Sequence, residues 1–301
     1  MDYAVTTEEL TKVFGKFTAV DRITLQIKPG EIYGFLGPNG AGKSTVIRML
    51  CGILEPTSGA ATVLGYDLVR EIEKIKQQIG YMSQKFSLYD DLTAAENLDF
   101  YAGLYSISGR NRAVRIREMI AMAELTGREH ELTANLSGGW KQRLALGCAL
   151  IAKPAIVFLD EPTSGVSPVS RRHFFNIIRG LAEDGVTVMV TTHFMDEAEY
   201  CDQIAFISAG RLMAVDAPDH LKRNVLQGCL VELDLPDAMG RLESIEQLPY
   251  VKECSVHGAL LHVLLENEAA LAPLQEFTGT IPQVITPSLE DVFIALAAKN
   301  T

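Results

Sequence analysis

The sequence predicts an α/β fold in which a parallel β-sheet covered by helices carries a helical insert and is followed by a small α+β domain. Over most of the first 223 residues, apolar strand-like runs alternate with helical patterns, which is typical of parallel sheets. From Thr93 to about Leu132 the pattern is helical with little strand character. After Arg223, strands and helices follow in the order β-α-β-β-α-β, which suggests a ferredoxin-like domain.

Composition fits one sizeable core with a smaller appended domain. Apolar residues make up 48% and charged residues 22% of the 301 residues, which is ordinary for a globular protein. No apolar run approaches the roughly 18 residues that a membrane helix needs, and the N-terminus lacks the basic-then-apolar layout of a signal peptide. We therefore expect the chain to stay in the cytoplasm.

Charge and cysteine content count against a nucleic-acid-binding protein and against a fold stabilised by disulfides or zinc. The formal net charge of −11 argues against nucleic-acid binding, which depends on a basic surface. The five cysteines are odd in number and form no Cys-x-x-Cys pair, so neither a disulfide framework nor a zinc site is expected. Buried free thiols in a reducing compartment are the better interpretation.

In the first part of the domain at 1–223, alternating apolar residues predict strands before the turn at Pro29-Gly30. Thr93 and Glu96 form a capping-box pattern at the start of the helical insert, which we place at about 85–135. The other elements expected are strands at 32–36, 60–64, 79–83, 155–159 and 186–192, and helices at 43–51, 70–78, 170–182 and 195–201. In the domain at 224–301 we expect strands at 229–235, 251–256, 260–265 and 282–285, helices at 238–248 and 268–277, and a final helix from Ser288.

A glycine-rich segment has the spacing of a phosphate-binding loop. Its glycines allow backbone N–H groups to point at phosphate oxygens, and the helix that follows adds the positive end of its dipole. Lys43 would supply a point charge for the outer phosphates, and Ser44 a hydroxyl for Mg²⁺. The residues expected to bind the nucleotide here are Gly37, Pro38, Asn39, Gly40, Ala41, Gly42, Lys43, Ser44 and Thr45.

Two carboxylates end the apolar run Ile156–Leu159, namely Asp160 and Glu161. Ligands bind at the carboxyl edge of open α/β sheets, so these acids belong beside the glycine loop. Asp160 would complete the Mg²⁺ shell through water, and Glu161 would polarise the attacking water. An Asp-Glu pair alone is weak evidence for a nucleotide site, but together with the glycine loop it is strong evidence.

Three single residues each have two interpretations. His193 follows the expected strand at 186–192, where it either holds the γ-phosphate and the water or is structural. Gln84 follows another strand, either as a catalytic and Mg²⁺-contacting residue or as a solvated loop residue. Phe14 either stacks on adenine or packs in the core.

Together these motifs resemble the ATP-binding subunit of ABC transporters. Between the loop and the acidic strand end lies Leu136-Ser137-Gly138-Gly139-Trp140, and very few protein classes place a Ser-Gly-Gly helix start there. Residues 1 to about 223 are similar to the ATPase domain of the family in full motif order. The subgroup most resembled is the drug- or polysaccharide-exporter type, because of the segments 37–40, 92–98 and 289–293.

The resemblance implies an ATPase that forms a head-to-tail dimer with a second ATPase subunit, identical or different. ATP and Mg²⁺ would lie between the glycine loop of one subunit and the signature of the other. Ser137, Gly138 and Gly139 begin a helix whose dipole would favour the partner's γ-phosphate. Closure of the dimer would act through the insert, with Gln84 at its hinge, on membrane permease subunits that export a drug, lipid or polysaccharide-like substrate. The chain would thus lie at the inner face of the membrane.

Two residues depart from the family pattern on the surface that this chain would offer to its partner's nucleotide. Trp140 stands where glutamine is common, and Ser167 where the family usually has aspartate. Either the chain supplies a weakened half-site to its partner's nucleotide, which would suit a heterodimer, or both residues are tolerated in a homodimer. At the adenine position, Phe14 keeps the aromatic face of the usual tyrosine.

A second function stays open at this point, namely that of a soluble ABC-type ATPase acting on ribosomes, nucleic acid or Fe–S assembly. Ribosome- and DNA-acting members usually pair two cassettes in one chain or carry long coiled-coil arms. This chain has one cassette and no sustained heptads. The transported substrate is not encoded in the chain.

Overall fold

The computed structural model describes residues 2–85 and 87–298. The chain divides into two compact units between Ala214 and Val215, N-terminal of the boundary expected at Arg223. Among the helices of the described residues, none has both the length and the apolar character needed to span a bilayer.

The strands and helices of the first unit follow the predicted alternation. The strands are β1 (Val5–Phe14), β2 (Phe17–Ile27), β3 (Ile32–Leu36), β4 (Ser58–Val63), β5 (Tyr66–Asp67), β6 (Ile79–Met82), β7 (Ile156–Asp160), β8 (Thr187–Thr192), β9 (Gln203–Ser208) and β10 (Arg211–Asp216). The helices are α1 (Lys43–Leu50), α2 (Ile72–Lys76), α3 (Ala94–Leu104), α4 (Gly109–Met122), α5 (Gly138–Leu150), α6 (Pro168–Glu183) and α7 (Met195–Ala198).

The central sheet has the order β10-β9-β3-β8-β7-β6. Pairing from β9 through β3, β8 and β7 to β6 is parallel, so the predicted parallel sheet is confirmed. Every residue of β3, β7 and β8 is buried, as expected for strands covered on both faces. Strands β9 and β10 were not predicted, although Ile204–Ile207 is an apolar run. A second sheet of order β2-β1-β4-β5 is antiparallel.

The helical insert consists of α3 and α4, which pack on each other and on α5. Thr93 caps α3 with the predicted capping box to Glu96. Asn97 is fully buried, and its amide donates to the carbonyl of Tyr89 at 2.9 Å and to the hydroxyl of Thr133 at 2.9 Å. Because Tyr89 and Thr133 stand at the two ends of the insert, one buried side chain fastens its entry to its exit.

The second unit contains α8 (Pro218–Asn224), β11 (Cys229–Leu233), α9 (Ala238–Glu246), β12 (Val251–His257), β13 (Leu260–Leu265), α10 (Leu271–Thr278), β14 (Gln283–Val284) and α11 (Leu289–Ala298). Its sheet has the order β12-β13-β11-β14, with antiparallel pairing throughout. The predicted β-α-β-β-α-β order is therefore present. Val231, Ile245 and Leu274 belong to its buried core.

All five cysteines are buried and form no disulfide, as the sequence analysis expects. Burial raises the pKa of every one of these thiols, and the pKa of Cys254 reaches about 11. The thiols are thus protonated at neutral pH, which is the state of structural cysteines rather than of nucleophiles.

Candidate nucleotide site

The site lies at the carboxyl edge of the central sheet. There β3 runs into the glycine loop, β7 ends at Asp160 and β8 ends at Thr192. Since β8 pairs with both β3 and β7, segments that are more than a hundred residues apart in sequence meet at one edge. This is where open α/β sheets bind ligands.

The glycine loop folds tightly around its own lysine. Lys43 Nζ donates to the carbonyl of Gly37 at 2.7 Å and to that of Pro38 at 3.1 Å, and Lys43 is 4% exposed. Gly42 has a φ of 105°, and a Cβ there would lie 2.5 Å from the carbonyl oxygen of Ala19. Only glycine meets both constraints, so this position is fixed by the backbone path of the loop.

Glu161 is the point on which the predicted catalytic residues converge. Its Oε1 lies 3.3 Å from Lys43 Nζ. Its Oε2 accepts a hydrogen bond from Gln84 Nε2 at 2.9 Å and lies 3.5 Å from His193 Nδ1. The structure therefore brings together all four residues that the sequence marks as catalytic, although their roles in turnover stay predictions.

The backbone of Glu161 is strained, and a threonine holds it in place. Its φ is 45°, a left-handed conformation that costs a non-glycine residue about 1–3 kcal/mol. The Glu161 N–H donates to Thr191 Oγ1 at 2.9 Å. Thr191 is completely buried, so its hydroxyl fixes where the carboxylate points. Thr191 was not predicted as a site residue, although its place at the end of an expected strand follows the same rule that identified Asp160.

The residues beside Asp160 fit a magnesium ion. Asp160 Oδ1 accepts hydrogen bonds from Ser44 Oγ at 2.8 Å and Thr191 Oγ1 at 2.9 Å. Its Oδ2 is buried and has no hydrogen-bond partner among the described residues, which is costly unless a cation or its water completes the site. Carboxylate and hydroxyl oxygens are the donors that Mg²⁺ prefers. Gln84 uses its amide nitrogen on Glu161, so its predicted metal contact would come from the oxygen.

A buried ion pair supports the two segments that leave this edge. Glu197 on α7 is fully buried, accepts a hydrogen bond from the Thr163 hydroxyl, and lies 3.1 Å from Arg171 Nε. Arg171 also covers the ring of Phe194 at 3.5 Å. Burial raises the pKa of Glu197 above its ordinary value. The pair, which was not predicted, connects the chain after β7 to the chain after β8.

Phe14 is not a core residue. It is 48% exposed, and so the core-packing interpretation is wrong. Lys12 Nζ lies 5.2 Å from its ring centre. The residue paired with it across the β1–β2 hairpin is Phe17, which is 63% exposed and was missed. Since Ala19 of the same strand touches the glycine loop at Gly42, the hairpin lies beside the loop, as adenine stacking by Phe14 requires.

The two segments predicted to serve a partner's nucleotide are neighbours on an exposed face. Ser137 precedes α5 without capping it through its side chain, and it is exposed together with Gly138. A Cβ on Gly139 would lie 2.9 Å from Ser170 Oγ. Ser170 N–H donates to the Oγ of the exposed Ser167 at 3.3 Å. We call this set, Ser137–Gly139 and Ser167, the outward face; all of its residues are exposed except the half-buried Gly139.

The half-buried Trp140 packs against an arginine of its own chain. The guanidinium carbon of Arg128, from the helical insert, lies 4.1 Å from the centre of its ring. Such a cation–π contact at a partly exposed position contributes roughly 0.5–1 kcal/mol. The predicted contact of Trp140 with a partner nucleotide stays a prediction.

Fold and site together define a P-loop ATPase cassette, and comparison with known proteins gives its family. The family model described as "ABC transporter" matches residues 20–164. The linearmycin resistance ATP-binding protein LnrL of Bacillus subtilis is 35% identical over 97% of this chain and 98% of its own length. The chain belongs to the ABC transporter ATP-binding family and is an ABC ATPase.

A longer relative matches the first unit more strongly. The probable multidrug ABC transporter ATP-binding protein YbhF of Escherichia coli is 54% identical over 71% of this chain. The match spans only 37% of that relative's length. The daunorubicin/doxorubicin resistance ATP-binding protein DrrA of Streptomyces peucetius is 35% identical over 97% of this chain and 92% of its own length.

Solved cassettes share the fold. A dimeric ATP-binding cassette in a post-hydrolysis state, bound to ADP and Pi, superimposes with a TM-score of 0.65 at 30% identity, covering 71% of this chain and 98% of that one. An ATP-binding subunit of an ABC transporter gives a TM-score of 0.66 at 28% identity over 73% and 92% of the two chains. The predicted fold class is confirmed.

Proposed function

We propose that this chain hydrolyses MgATP as one subunit of an ATPase dimer and that closure of the dimer drives export of a drug-like substrate through a separate membrane permease. The observation that carries the ATPase part is the convergence of Lys43, Gln84 and His193 on the Glu161 carboxylate. The names of LnrL, DrrA and YbhF support drug export.

Each residue at the sheet edge has a chemical task in this proposal. Lys43 and the loop N–H groups bind the outer phosphates. Ser44 and Asp160 hold Mg²⁺, which when bound neutralises phosphate charge. Glu161 accepts a hydrogen bond from the attacking water and aligns it. Gln84 donates a hydrogen bond to Glu161, and His193, whose Nδ1 lies 3.5 Å from the same carboxylate, would contact the γ-phosphate and hold the water.

Dimer closure would use the outward face. Ser137 leaves the first N–H groups of α5 without a side-chain cap, and these groups favour an anion. Because Ser137 and Gly138 are exposed, they are available to a second subunit's γ-phosphate. ATP binds such a closed dimer better than an open one, so hydrolysis shifts the population toward opening.

The permease would dock in an apolar groove beside the helical insert. The groove encloses about 780 Å³, and Tyr81, Tyr101 and Tyr105 contribute to its walls. Leu104 and Ile53, which also line it, are 63% and 58% exposed. Exposed apolar residues gathered around a concave surface mark a protein contact. A groove between the insert and the nucleotide core is where movement of the insert would reach a partner.

The ATPase part is tested by phosphate release from the purified chain with and without Mg²⁺. We expect Mg²⁺-dependent turnover that Ser44→Ala reduces at least about tenfold. A matched control is Ser108→Ala, which removes a hydroxyl from a helix start outside the site. Turnover that does not depend on Mg²⁺ or on Ser44 would contradict the assignment.

The transport part is tested by recovering the chain from detergent-solubilised membranes. We expect polytopic membrane proteins to co-purify with the wild type and to be lost with Leu104→Glu, which places a charge in the groove. ATP hydrolysis by the isolated Leu104→Glu chain should persist. Met239→Glu, at a 72% exposed position of the second unit, is the control. Recovery with ribosomes, and without membrane proteins, would favour the soluble function instead.

A further inference from the structure

Two histidines and an aspartate of the second unit converge at a point that the ATPase chemistry does not use. Asp291 Oδ1 lies 2.7 Å from His262 Nδ1 and 3.2 Å from His257 Nε2. The candidate ligand atoms of these three residues all lie within 4.8 Å of one another. Their side chains are 10%, 13% and 3% exposed for His262, His257 and Asp291. We call these three residues the histidine cluster.

The backbone explains why the three groups meet. In the β12–β13 hairpin, His262 pairs with Ser255, so His257, two residues beyond Ser255, lies diagonally across on the same face. The two imidazole rings stack with centres 3.8 Å apart and planes 11° apart. Asp291 comes from the first turn of α11, where its Oδ2 accepts hydrogen bonds from the N–H and hydroxyl of Ser288. Its Oδ1 is thereby aimed at the rings.

Carboxylates also face the outer nitrogens of both rings. Glu232 Oε2 lies 3.5 Å from His262 Nε2, and Glu290 Oε2 lies 3.9 Å from His257 Nδ1. Both separations are at or beyond the limit of a hydrogen bond, but an outer N–H directed at a carboxylate is the arrangement in which the inner nitrogen offers its lone pair to a metal ion. Histidines that bind metals are held in this way by carboxylates behind them.

His262 Nδ1 and His257 Nε2 both face Asp291 Oδ1, and the Ser255 hydroxyl also lies 3.2 Å from His257 Nε2. Neutral rings with their protons on the outer nitrogens would offer two nitrogen lone pairs beside one carboxylate oxygen. A single divalent cation can be bound by all three atoms. It also balances two of the three nearby carboxylate charges.

We propose that the histidine cluster binds a divalent transition-metal ion, with His257 Nε2, His262 Nδ1 and Asp291 Oδ1 as ligands. Two imidazoles and one carboxylate form a ligand set suited to Zn²⁺, with water in the fourth position. The bound ion would clip the start of α11 to the β12–β13 hairpin. The cysteine pattern gave no sign of such a site, because none of its ligands is a cysteine.

The test is titration of Zn²⁺ into the metal-stripped full chain, in competition with a chromophoric chelator and with excess Mg²⁺ present. We expect one Zn²⁺ per chain with a dissociation constant of about 1 µM or below. His262→Gln and His257→Gln should each weaken binding at least about tenfold, and Glu232→Gln should weaken it about tenfold through the outer nitrogen. His220→Gln, in α8 of the same unit, should leave it unchanged.

Two further readouts separate metal binding from a folding defect. Zn²⁺ should raise the Tm of the wild type by a few degrees and leave the Tm of His262→Gln unchanged. Co²⁺ should give visible d–d absorption in the wild type and lose it in the same variant while circular dichroism stays native. The proposal is overturned if the wild type binds no Zn²⁺, or if His262→Gln binds it as tightly as His220→Gln.

Discussion

The carboxyl edge of the central sheet and the outward face differ in how complete they are. At the sheet edge, Glu161 pairs with Lys43 and Gln84 and lies 3.5 Å from His193, and its backbone is hydrogen-bonded to a buried threonine. On the outward face, Ser137 and Ser167 are exposed, and among the described residues the side chain of Ser167 bonds only to Ser170 of its own helix start. The first region is preorganised, whereas under the proposed function the second is half of a site that another subunit would complete.

Removing the central carboxylate is expected to have the largest effect. Glu161→Gln keeps the shape of the side chain but loses the charge that aligns the attacking water, so turnover at saturating ATP should fall about 10²–10⁴-fold. Nucleotide affinity should stay within a few-fold, which binding of a fluorescent ATP analogue would check. The control is Glu183→Gln at the exposed end of α6, which should have wild-type turnover. A Glu161→Gln chain that keeps most of its turnover would refute the role of Glu161.

Replacing Lys43 of the glycine loop should weaken ATP binding as well as turnover. Lys43→Ala removes a charge-assisted contact to phosphate, and it also leaves Glu161 without its cation. We expect ATP affinity to fall about 10–100-fold, as measured by calorimetry. Lys153→Ala, which changes a lysine outside the loop, should bind ATP normally. Unchanged affinity in Lys43→Ala would mean that the nucleotide lies elsewhere.

The outward face should respond to restoring the residue that the family usually has. Ser167→Asp keeps an N-cap acceptor for Ser170, because aspartate caps helices as well as serine does. If Ser167 weakens the half-site, turnover of the chain alone should rise several-fold. Ser167→Asn, which introduces a neutral cap of similar size, is the control, and its turnover should rise less. High wild-type turnover that Ser167→Asp leaves unchanged would rule out a weakened half-site.

Replacing Trp140 should have the smallest effect. Trp140→Gln removes the ring that packs against Arg128, so the free energy of unfolding should drop by about 1 kcal/mol while turnover changes less than about twofold. Arg128→Gln should lower the free energy of unfolding by a similar amount. The double variant should lose less free energy of unfolding than the sum of the two single losses. Urea denaturation measures all three. A large loss of turnover in Trp140→Gln alone would instead place the ring at the nucleotide.

Local patterns were enough to predict the sheet-edge motifs and their neighbours. Asp160 and Glu161 follow an apolar strand, and the capping box at Thr93 is present as written in the sequence. Thr191 was missed because its role depends on β8 lying between β3 and β7. The histidine cluster could not be predicted for a similar reason. Its members meet only through the register of a hairpin and the placement of α11.

The central claim is that the Ser137 signature acts on the nucleotide of another subunit, and mixing two inactive variants tests it. Lys43→Ala has a defective loop and an intact signature, whereas Ser137→Arg has the reverse. In a head-to-tail dimer, a mixed pair regains one complete site, so an equimolar mixture should recover up to about a quarter of wild-type phosphate release. A mixture as inactive as either variant, beside an active wild type, would contradict the account.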